Sequence, residues 1–356
     1  MHRTPTNVSD RKNFDTVIDA RSPAEFALDH SPGAINCPVL DDDERRIVGT
    51  IYKQTGAFEA RRVGGAMVAD NLAKHLRDQF ADKPPKWKPL VYCWRGGLRS
   101  GSMVNWLRLV GWDAKQLTGG YKSFRREVLT LIETVSPGLD LRIICGPTGS
   151  AKTRVLQAMA VRGAQVLDLE HYACHKGSLL GALPGIEQPS QKRFETLIAT
   201  MFETLDLSKP LYVEGESARI GRVSVPIPLV GRMRESRCIE IEASAEARLA
   251  YLLRDYAYLG DNAETLAKQL GKLKEAQSKE TVARWQAWAH DHALAPLFAE
   301  LMALHYDPHY EKSQTLHFAQ WTGRIKVPVA ELTDQSIDEA ADRVLAAECN
   351  QMPLAA

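Results

Sequence analysis

The chain has 356 residues, of which 44% are apolar and 25% charged, and this composition is typical of a globular protein with two or three domains. Its net charge is only +1, so overall charge does not indicate a nucleic-acid partner, which would need a local basic surface. The six cysteines form no C-x-x-C pair, which disfavours a paired-cysteine zinc site and a disulfide framework. The first residues show no apolar signal-peptide core and no run approaches 18 apolar residues, so we expect a cytoplasmic protein without a signal peptide or membrane span.

The first elements alternate between strand and helix. Residues 16–20 are a short β-branched run, and the Ser-Pro-Ala-Glu at residues 22–25 is a capping box with proline at its first helical position. Residues 89–93 predict a second strand, and residues 103–109 predict the helix that follows a glycine-containing loop. This alternation favours an α/β domain with a largely parallel sheet.

The loop between that strand and helix carries a cysteine with unusual neighbours. Cys93 is followed by Arg95, Gly96, Gly97 and Arg99. The glycines let the backbone curl, so that its N–H groups and the two arginines form an anion cradle around the sulfur. We predict that Cys93 is a nucleophile, with Arg95 and Arg99 as its catalytic partners and Gly96 and Gly97 as the cradle. The alternative is a buried cysteine at the end of a core strand, and we expect that structural role for the other five: Cys37, Cys145, Cys174, Cys238 and Cys349.

Three sequence stretches resemble rhodanese domains. Residues 17–26 (VIDARSPAEF) and 30–36 (HSPGAIN) are similar to the opening of that family, and residues 117–121 (LTGGY) to its end. We therefore predict a rhodanese-like domain over residues 12–135.

The cysteine loop departs from most rhodaneses in its length. Five residues separate Cys93 from Arg99, where sulfurtransferases of the rhodanese family typically have four. The longer loop is similar to that of related cysteine-dependent phosphatases, and it would suit a phosphorus-bearing anion.

A second strand-turn-helix pattern predicts a phosphate-binding loop (P-loop). Residues 141–145 are a buried-strand pattern, and the sequence then reads GPTGSAKT from Gly146 to Thr153. Backbone N–H groups around Gly146 and Gly149 would hold phosphate oxygens, Lys152 would add a charge, and Thr153 would support a metal or phosphate.

Two residues bear on what the phosphate loop can bind, Ala151 in the loop and Glu214 after a later strand. Ala151 stands where the P-loop pattern has its second fixed glycine, and its methyl group is expected to resist a positive φ and to weaken ordinary ATP binding. Glu214, at the end of a later strand, resembles the acidic residue that positions a metal or water in P-loop proteins. The alternative for Glu214 is a solvated glutamate at a strand end. No metal-binding set of side chains is predicted.

The predicted fold is thus α/β throughout, with a helical end. An N-terminal rhodanese-like domain is followed by a P-loop NTPase-like α/β domain over residues 139–245. A mainly helical C-terminal region covers residues 246–350, where Leu266, Leu270 and Leu273 have helical spacing.

The combination of motifs resembles the tRNA 2-selenouridine synthase family. Beyond the two domain signatures, the resemblance rests on these stretches: residues 44–54, 167–171, 189–195, 214–222 and 306–310. It implies a transferase that replaces the sulfur of wobble 2-thiouridine in tRNA with selenium from selenophosphate. It also implies prior S-geranylation of that sulfur from geranyl diphosphate, with Cys93 carrying the selenium.

The same resemblance implies partners and ligands. The partner is a tRNA with 2-thiouridine at the wobble position, and an enzyme that supplies selenophosphate is compatible with it. We expect no tightly bound cofactor, while the phosphate loop leaves room for Mg²⁺. Two other functions stay open: an ATP-using tRNA sulfurtransferase, and a non-catalytic anion-sensing rhodanese fused to an NTPase.

An arginine-rich segment is the predicted tRNA contact. It contains one acid, Glu235, and five arginines: Arg219, Arg222, Arg232, Arg234 and Arg237. Its glycines and prolines predict a loop beside the phosphate loop, where cationic side chains would meet the RNA backbone. The alternative is that these arginines are solvated or paired with acidic side chains.

Overall fold

A computed structural model describes residues 5–349 of the chain. Its strands are β1 (Thr16–Asp19), β2 (Ile35–Asn36), β3 (Pro89–Tyr92), β4 (Lys115–Gln116), β5 (Leu141–Cys145), β6 (Gln165–Leu167), β7 (Leu211–Glu214), β8 (Arg219–Ile220), β9 (Val223–Ser224), β10 (Arg237–Glu242) and β11 (Ile325–Pro328). Its helices are α1 (Pro23–Leu28), α2 (Asp42–Gln54), α3 (Ala57–Asp78), α4 (Leu98–Val110), α5 (Gly120–Val135), α6 (Lys152–Val161), α7 (Leu169–Ala173), α8 (Gln191–Phe202), α9 (Ile227–Glu235), α10 (Ala245–Asp255), α11 (Ala263–Leu270), α12 (Lys279–His290), α13 (Leu294–Leu301), α14 (Asp307–His317) and α15 (Asp334–Cys349).

The chain divides into two compact units. Unit 1 contains the described residues up to Leu131 together with Ser190–Thr200, and unit 2 contains Ile132–Pro189 and the rest of the chain from Met201. The segment Ser190–Thr200, which forms most of α8, falls inside the predicted P-loop domain but groups with unit 1. One contact that ties this segment to unit 1 is a hydrogen bond from the hydroxyl of Thr196 to the buried carboxylate of Asp29.

Unit 1 is built on a parallel sheet of four strands in the order β2-β1-β3-β4. The capping box of α1 is present, since Ser22 and Glu25 bond reciprocally at its first turn. The strands bury Ile18 and Val91 against Met103 and Leu107 of α4. Because β3 is central and ends at Tyr92, the residue after it lies at the carboxyl edge of the sheet, where parallel α/β folds place their sites.

Between β2 and β3 the chain forms a hairpin of two helices, α2 and α3. The resemblance stretch at residues 44–54 lies in α2. An aspartate, Asp41, caps this helix by accepting from the backbone N–H of Glu44, and the side chain of Glu44 returns the bond. The two helices are in close contact along small side chains: a Cβ placed on Gly64 would lie 3.0 Å from Val48.

Unit 2 is built on a parallel sheet of five strands in the order β11-β10-β5-β7-β6. The first strand in sequence, β5, is central, and its five residues are all buried. Because the strand order reverses at β5, a crevice forms at its carboxyl end, which is the ligand-binding position in open α/β sheets. The turn after β5 leads directly into α6.

The C-terminal region forms a separate helical core, and its last segment then adds a strand and a helix to the unit 2 sheet. Its helices pack around Leu270, Trp285 and Leu301. The last segment then adds β11 beside β10, and α15 buries Ala341 and Val344 against the same core as α6. The helical spacing predicted from Leu266 to Leu273 is confirmed by α11 and the 3₁₀ turn that follows it.

The arginine-rich segment is not the loop that the sequence predicted. It forms the antiparallel hairpin β8–β9 and then the helix α9. The prolines initiate α9 rather than prevent it, because Pro226 is the N-cap and Pro228 lies in the first turn, where no N–H is needed. Leu229 and Met233, four residues apart, anchor the helix in the core.

Among residues 5–349, no helix is both long and apolar enough to cross a membrane.

Candidate functional site

Cys93 lies immediately after β3, and its side chain is held by a short chain of hydrogen bonds. The residue is 3% exposed. The hydroxyl of Ser100 donates to its sulfur at 3.1 Å, and the amide of Gln116 donates to that hydroxyl oxygen at 2.8 Å. The Ser100 hydroxyl thus links the sulfur of Cys93 to the side chain of Gln116.

The cysteine loop is fixed in a curled conformation by its neighbours. The same Gln116 nitrogen lies 2.8 and 2.9 Å from the carbonyl oxygens of Gly96 and Gly97, so its two N–H groups are shared among three oxygens. Gly96 has a φ of +69°, and a Cβ on Gly120 would lie 2.2 Å from the Cys93 carbonyl oxygen. These positions therefore require glycine, and Gln116 holds the carbonyl groups of the loop on its own side.

The curled loop leaves its amide groups available for a ligand. Within residues 5–349, no acceptor is found for the backbone N–H of any residue from 94 to 100. These seven N–H groups follow the thiol in sequence and lead into the first turn of α4, where the helix N-terminus adds positive potential, and they are the donors from which an anion cradle would be built.

The two arginines of the cysteine loop are placed differently. Arg95 is exposed. Arg99 is mostly buried and donates from both terminal nitrogens to the carboxylate of Glu25. Burial alone would raise the pKa of Glu25, but its hydrogen bond and ion pair with Arg99 outweigh this and lower the pKa. The charge of Arg99 is thus already balanced.

A large cleft in unit 1 opens beside the cysteine loop. It has a volume of about 1080 Å³ and lies between the α2–α3 hairpin and the start of α4. Small residues such as Gly65 and Ala60 form part of its wall. Among the described residues that line it there is no carboxylate, but there are four basic side chains: Arg45, Lys53, Arg61 and Arg99. The cleft suits an anionic ligand with an apolar portion.

The phosphate loop turns from β5 into α6 through residues with positive φ, and its alanine is one of them. Ala151 adopts φ 57° and ψ 27°, which is the left-handed conformation that we expected an alanine to resist. Gly149 has a φ of +85°, and a Cβ there would lie 2.8 Å from Leu252. The ammonium of Lys152 donates to the carbonyl oxygen of Gly146 at 2.8 Å, so it crosses the mouth of the loop. The left-handed alanine costs about 1–2 kcal/mol, which the surrounding structure offsets.

The phosphate loop also presents free amide groups. Within the described part of the chain, six backbone N–H groups have no acceptor: those of Thr148, Gly149, Ala151, Lys152, Thr153 and Arg154. They belong to the loop and to the first turn of α6, where the helix dipole attracts anions. This arrangement can hold the oxygens of a phosphate or diphosphate.

Three carboxylates meet beside the phosphate loop. Ligand oxygens of Glu170, Glu214 and Glu216 all lie within 4.8 Å of one another. Glu170 also accepts from the hydroxyl of Thr153 at 2.9 Å. Burial and the neighbouring charge of Glu216 raise the pKa of Glu170 to about 8, and burial with the charge of Glu170 raises that of Glu214.

The carboxylate cluster fits a divalent cation. Glu214 is fully buried, and neither of its carboxylate oxygens has a hydrogen-bond partner among residues 5–349. A buried carboxylate without a partner is costly unless a cation or proton compensates it. Oxygen ligands are those that Mg²⁺ prefers, and Thr153 occupies the position that supports a metal in P-loops. Glu170, Glu214 and Glu216 are therefore the residues that would hold such an ion.

The sequence pattern predicts a role for Glu214 but not for four other residues of these sites: Ser100, Gln116, Glu170 and Glu216. The two glutamates follow β6 and β7, which are more than 40 residues apart in the chain but pair side by side in the sheet. Acidic residues at the ends of two predicted parallel strands were a signal that could have pointed to them, since such ends meet at one edge.

The five arginines of the predicted tRNA contact lie at two edges of the unit 2 sheet. Arg219 and Arg222 are exposed in the β8–β9 hairpin after the carboxyl end of β7, and Gln188 bonds this hairpin to the end of α7. Arg237 lies opposite Arg142 of β5. Arg142 is four residues, or about 13 Å along the strand, before the start of the phosphate loop at Gly146.

The remaining two arginines, Arg232 and Arg234, lie at the amino edge of the sheet like Arg237. Arg232 donates to the carbonyl oxygen of Leu139 at 2.6 Å, just before β5, and lies 4.0 Å from Glu235. Arg234, in the last turn of α9, is exposed. The expectation that the whole segment lies beside the phosphate loop is therefore wrong for Arg232, Arg234 and Arg237, because α9 carries the chain back to the start of the sheet.

Two family models match the chain. The model of the tRNA 2-selenouridine synthase AAA domain matches residues 139–280, and that of the rhodanese-like domain matches residues 4–127. The first covers the phosphate loop and the carboxylate cluster, and the second covers the cysteine loop.

Individual proteins match over longer stretches. A tRNA 2-selenouridine synthase of Alcanivorax borkumensis is 32% identical over 330 residues, which cover 84% of this chain and 89% of that protein. Those of Nitrosomonas europaea and Bdellovibrio bacteriovorus are both 37% identical, over 246 and 249 residues, covering 67% of this chain. The chain spans 63% and 64% of the length of these two relatives.

Proposed function

The chain belongs to the tRNA 2-selenouridine synthase family, and on this basis we propose that it replaces the sulfur of 2-thiouridine at the tRNA wobble position with selenium from selenophosphate. The observation that carries the proposal is the thiol of Cys93, hydrogen-bonded by Ser100 inside a cradle of seven free N–H groups. Such a site binds an oxyanion and attacks it with a thiolate. The enzyme would act on tRNA in the cytoplasm.

The phosphate loop supports a first step in which geranyl diphosphate alkylates the sulfur of 2-thiouridine. Its six N–H groups and Lys152 would hold the diphosphate, which is the leaving group. Alkylation converts the sulfur at C2 into a better leaving group for the exchange that follows. Glu214 and its two acidic neighbours would hold Mg²⁺, which supplies positive charge to the diphosphate when bound.

The RNA contact is proposed for the exposed arginines of unit 2. Arg219 and Arg222 are at the same edge as the phosphate loop and would contact the RNA backbone near the wobble nucleotide. Arg234 and Arg237 lie at the amino edge and would make weaker, peripheral contacts with the RNA, whereas Arg232 is engaged with the carbonyl of Leu139. A single-stranded anticodon loop lets the wobble base leave its stack and enter a protein site.

Nucleoside analysis tests the proposal. The purified chain is incubated with geranyl diphosphate, selenophosphate and tRNA that carries 2-thiouridine, and the nucleosides are analysed by mass spectrometry. We expect 2-selenouridine with the full mixture and S-geranyl-2-thiouridine without selenophosphate. Cys93→Ser should abolish the first product and retain the second, because only selenium transfer needs the thiolate. An ATP-dependent gain of sulfur on unmodified uridine, or no change in any nucleoside, would contradict the proposal.

A further inference from the structure

We propose that Cys93 attacks the phosphorus of selenophosphate rather than its selenium. The thiolate takes the phosphoryl group, and hydrogen selenide is released beside the modified uridine. This inference rests on the proposed function, since it takes selenophosphate as the donor. It replaces the expectation from the sequence that the sulfur of Cys93 carries selenium.

The electron balance favours attack at phosphorus. In selenophosphate, phosphorus has the oxidation state of phosphate and selenium that of selenide. A thiolate that removed selenium would leave the phosphorus as phosphite and create a sulfur–selenium bond. Two further electrons would then be needed to release selenide, and the proposed reaction supplies no reductant. Attack at phosphorus changes no oxidation state and leaves selenium as the nucleophile that the uridine needs.

The cysteine loop has the shape and donors for a phosphoryl group. Three phosphoryl oxygens need several donors around one point, and the loop offers seven free N–H groups between Trp94 and Ser100. The carbonyl groups of Gly96 and Gly97 are bonded to Gln116 and do not compete for this position. A bare sulfur–selenium anion has no oxygen atoms to use such a set of donors, whereas a phosphoryl group in transfer carries its charge on three.

Each step then balances. The S–P bond forms as the P–Se bond breaks, and selenium leaves with the electron pair of that bond and with the proton of monohydrogen selenophosphate, as the hydrogen selenide ion. Hydrogen selenide adds to C2 of the S-geranyl uridine, its proton passes to N3, and geranyl thiolate leaves. Water cleaves the S–P bond of phosphocysteine, restores the thiolate and delivers both of its protons to the released phosphate. Water is the only additional reactant.

Ser100 serves the hydrolytic step. Its hydroxyl donates to the sulfur of Cys93 at 3.1 Å. When water attacks phosphocysteine, the sulfur is the leaving group and gains negative charge, which this hydroxyl stabilises. Gln116 is a positioning residue, since it orients Ser100 and the loop without touching the reacting atoms.

The cleft beside the loop gives the released selenide a place to react. Its wall contains Lys53, Arg61 and Arg45 and, among the described residues, no carboxylate, so it retains an anion. Its volume of about 1080 Å³ is larger than a nucleoside with a ten-carbon substituent needs, and small residues such as Gly65 leave the wall open. A wobble uridine that enters this cleft after its alkylation at the phosphate loop would meet the selenide before it escapes to solvent.

Selenophosphate labelled separately in phosphorus and in selenium tests the inference on the full chain. The reaction is stopped by rapid denaturation at neutral pH, and the adduct is located by peptide mass spectrometry. We expect phosphorus label on Cys93 and no selenium label. In Ser100→Ala the phosphorus adduct should accumulate at least about tenfold, because hydrolysis loses its charge-stabilising hydrogen bond. Cys174→Ser, which removes a half-buried cysteine of unit 2, is the matched control and should label normally.

The outcomes separate the inference from the proposed function. Selenium on Cys93 without phosphorus, or 2-selenouridine formed without phosphocysteine, would overturn the inference and leave the function intact. Phosphocysteine and free selenide formed by a chain that makes no 2-selenouridine would support the inference and refute the function.

Discussion

Arg99 and Glu25 form a two-pronged ion pair that joins the first turn of α4 to the first turn of α1. The guanidinium donates from both terminal nitrogens, and the side chains are only 17% and 26% exposed. Glu25 also accepts from the backbone N–H of Ser22 and so closes the capping box of α1. The arginine that the sequence assigned to the anion is therefore held by a carboxylate, and the backbone amides supply the attraction for the ligand.

Glu25→Gln should weaken the fold and strengthen anion binding. We expect a loss of about 1–2 kcal/mol in the free energy of unfolding, because a partly buried arginine loses its partner and α1 loses part of its cap. Sulfate should bind the cysteine loop more tightly, since the charge of Arg99 becomes free. Urea unfolding and a sulfate titration measure the two effects. Glu59→Gln, which breaks an exposed pair with Arg62, is the control and should cost under about 0.5 kcal/mol.

The stability effect of Glu25 should depend on pH. Because the pKa of Glu25 is lowered in the folded protein from its usual 4.5, ionised Glu25 stabilises the fold fully above that usual value. This contribution is lost as the pH falls through the lower, folded pKa. The difference between wild type and Glu25→Gln should therefore shrink in acid, and a constant difference would mean that the ion pair is not its source.

Glu214→Gln should stabilise the ligand-free protein and remove its response to magnesium. Neutralising one of three adjacent carboxylates relieves repulsion in a buried position, and we expect a gain of about 1 kcal/mol or more in the free energy of unfolding. Thermal unfolding with a chelator measures this gain. Addition of Mg²⁺ and inorganic diphosphate should raise the melting temperature of wild type and leave that of the variant unchanged.

The control for Glu214 is an exposed glutamate of the same unit. Glu187→Gln should leave both the stability and the response to Mg²⁺ unchanged. A Glu214→Gln protein that is less stable than wild type, or that still responds to Mg²⁺ with diphosphate, would show that the buried carboxylate is not a cation ligand.

Ala151→Gly should leave the phosphate loop folded and active. Glycine relieves the left-handed strain of about 1–2 kcal/mol but loses a buried methyl group and gains freedom in the unfolded chain, so the stability change should stay within about 1 kcal/mol. Diphosphate affinity by calorimetry should be unchanged or higher. Ala160→Gly, in the exposed part of α6, should instead cost about 1 kcal/mol. Weaker diphosphate binding by Ala151→Gly would mean that the methyl group shapes the loop.

Features that depend on short stretches of chain were predictable from the sequence. The capping box of α1, the strand before Cys93 and the strand-turn-helix of the phosphate loop each follow from a few neighbouring residues. The cradle of Cys93 was anticipated because its glycines stand beside the cysteine. In contrast, the side chains that contact the cysteine loop are distant from it in the sequence. Gln116 and Glu25 are brought to the loop only by the order of the strands in the sheet.

Two errors have clear physical causes. Residues 226–235 were interpreted as a loop because their prolines and Gly231 usually interrupt helices, but the prolines lie where a helix begins and Gly231 lies on its exposed face. Ala151 was expected to resist a positive φ, yet the ends of its loop are fixed by β5 and α6, and this outweighs a local cost. In both cases tertiary packing overrode a local preference.

The last prediction separates the two edges of unit 2 as RNA contacts. Arg219→Ala with Arg222→Ala removes two exposed charges from the β8–β9 hairpin at the edge of the phosphate loop. Arg234→Ala with Arg237→Ala removes the same number from the amino edge, and so is a matched control. If the wobble nucleotide enters at the carboxyl edge, the first variant should bind 2-thiouridine tRNA more weakly and lower the salt slope of binding by about two, one for each lost phosphate contact. The second should change both quantities much less, and neither should alter diphosphate affinity. A loss confined to the second variant would place the RNA on the amino edge, and unchanged tRNA binding in both would remove the arginines from the interface.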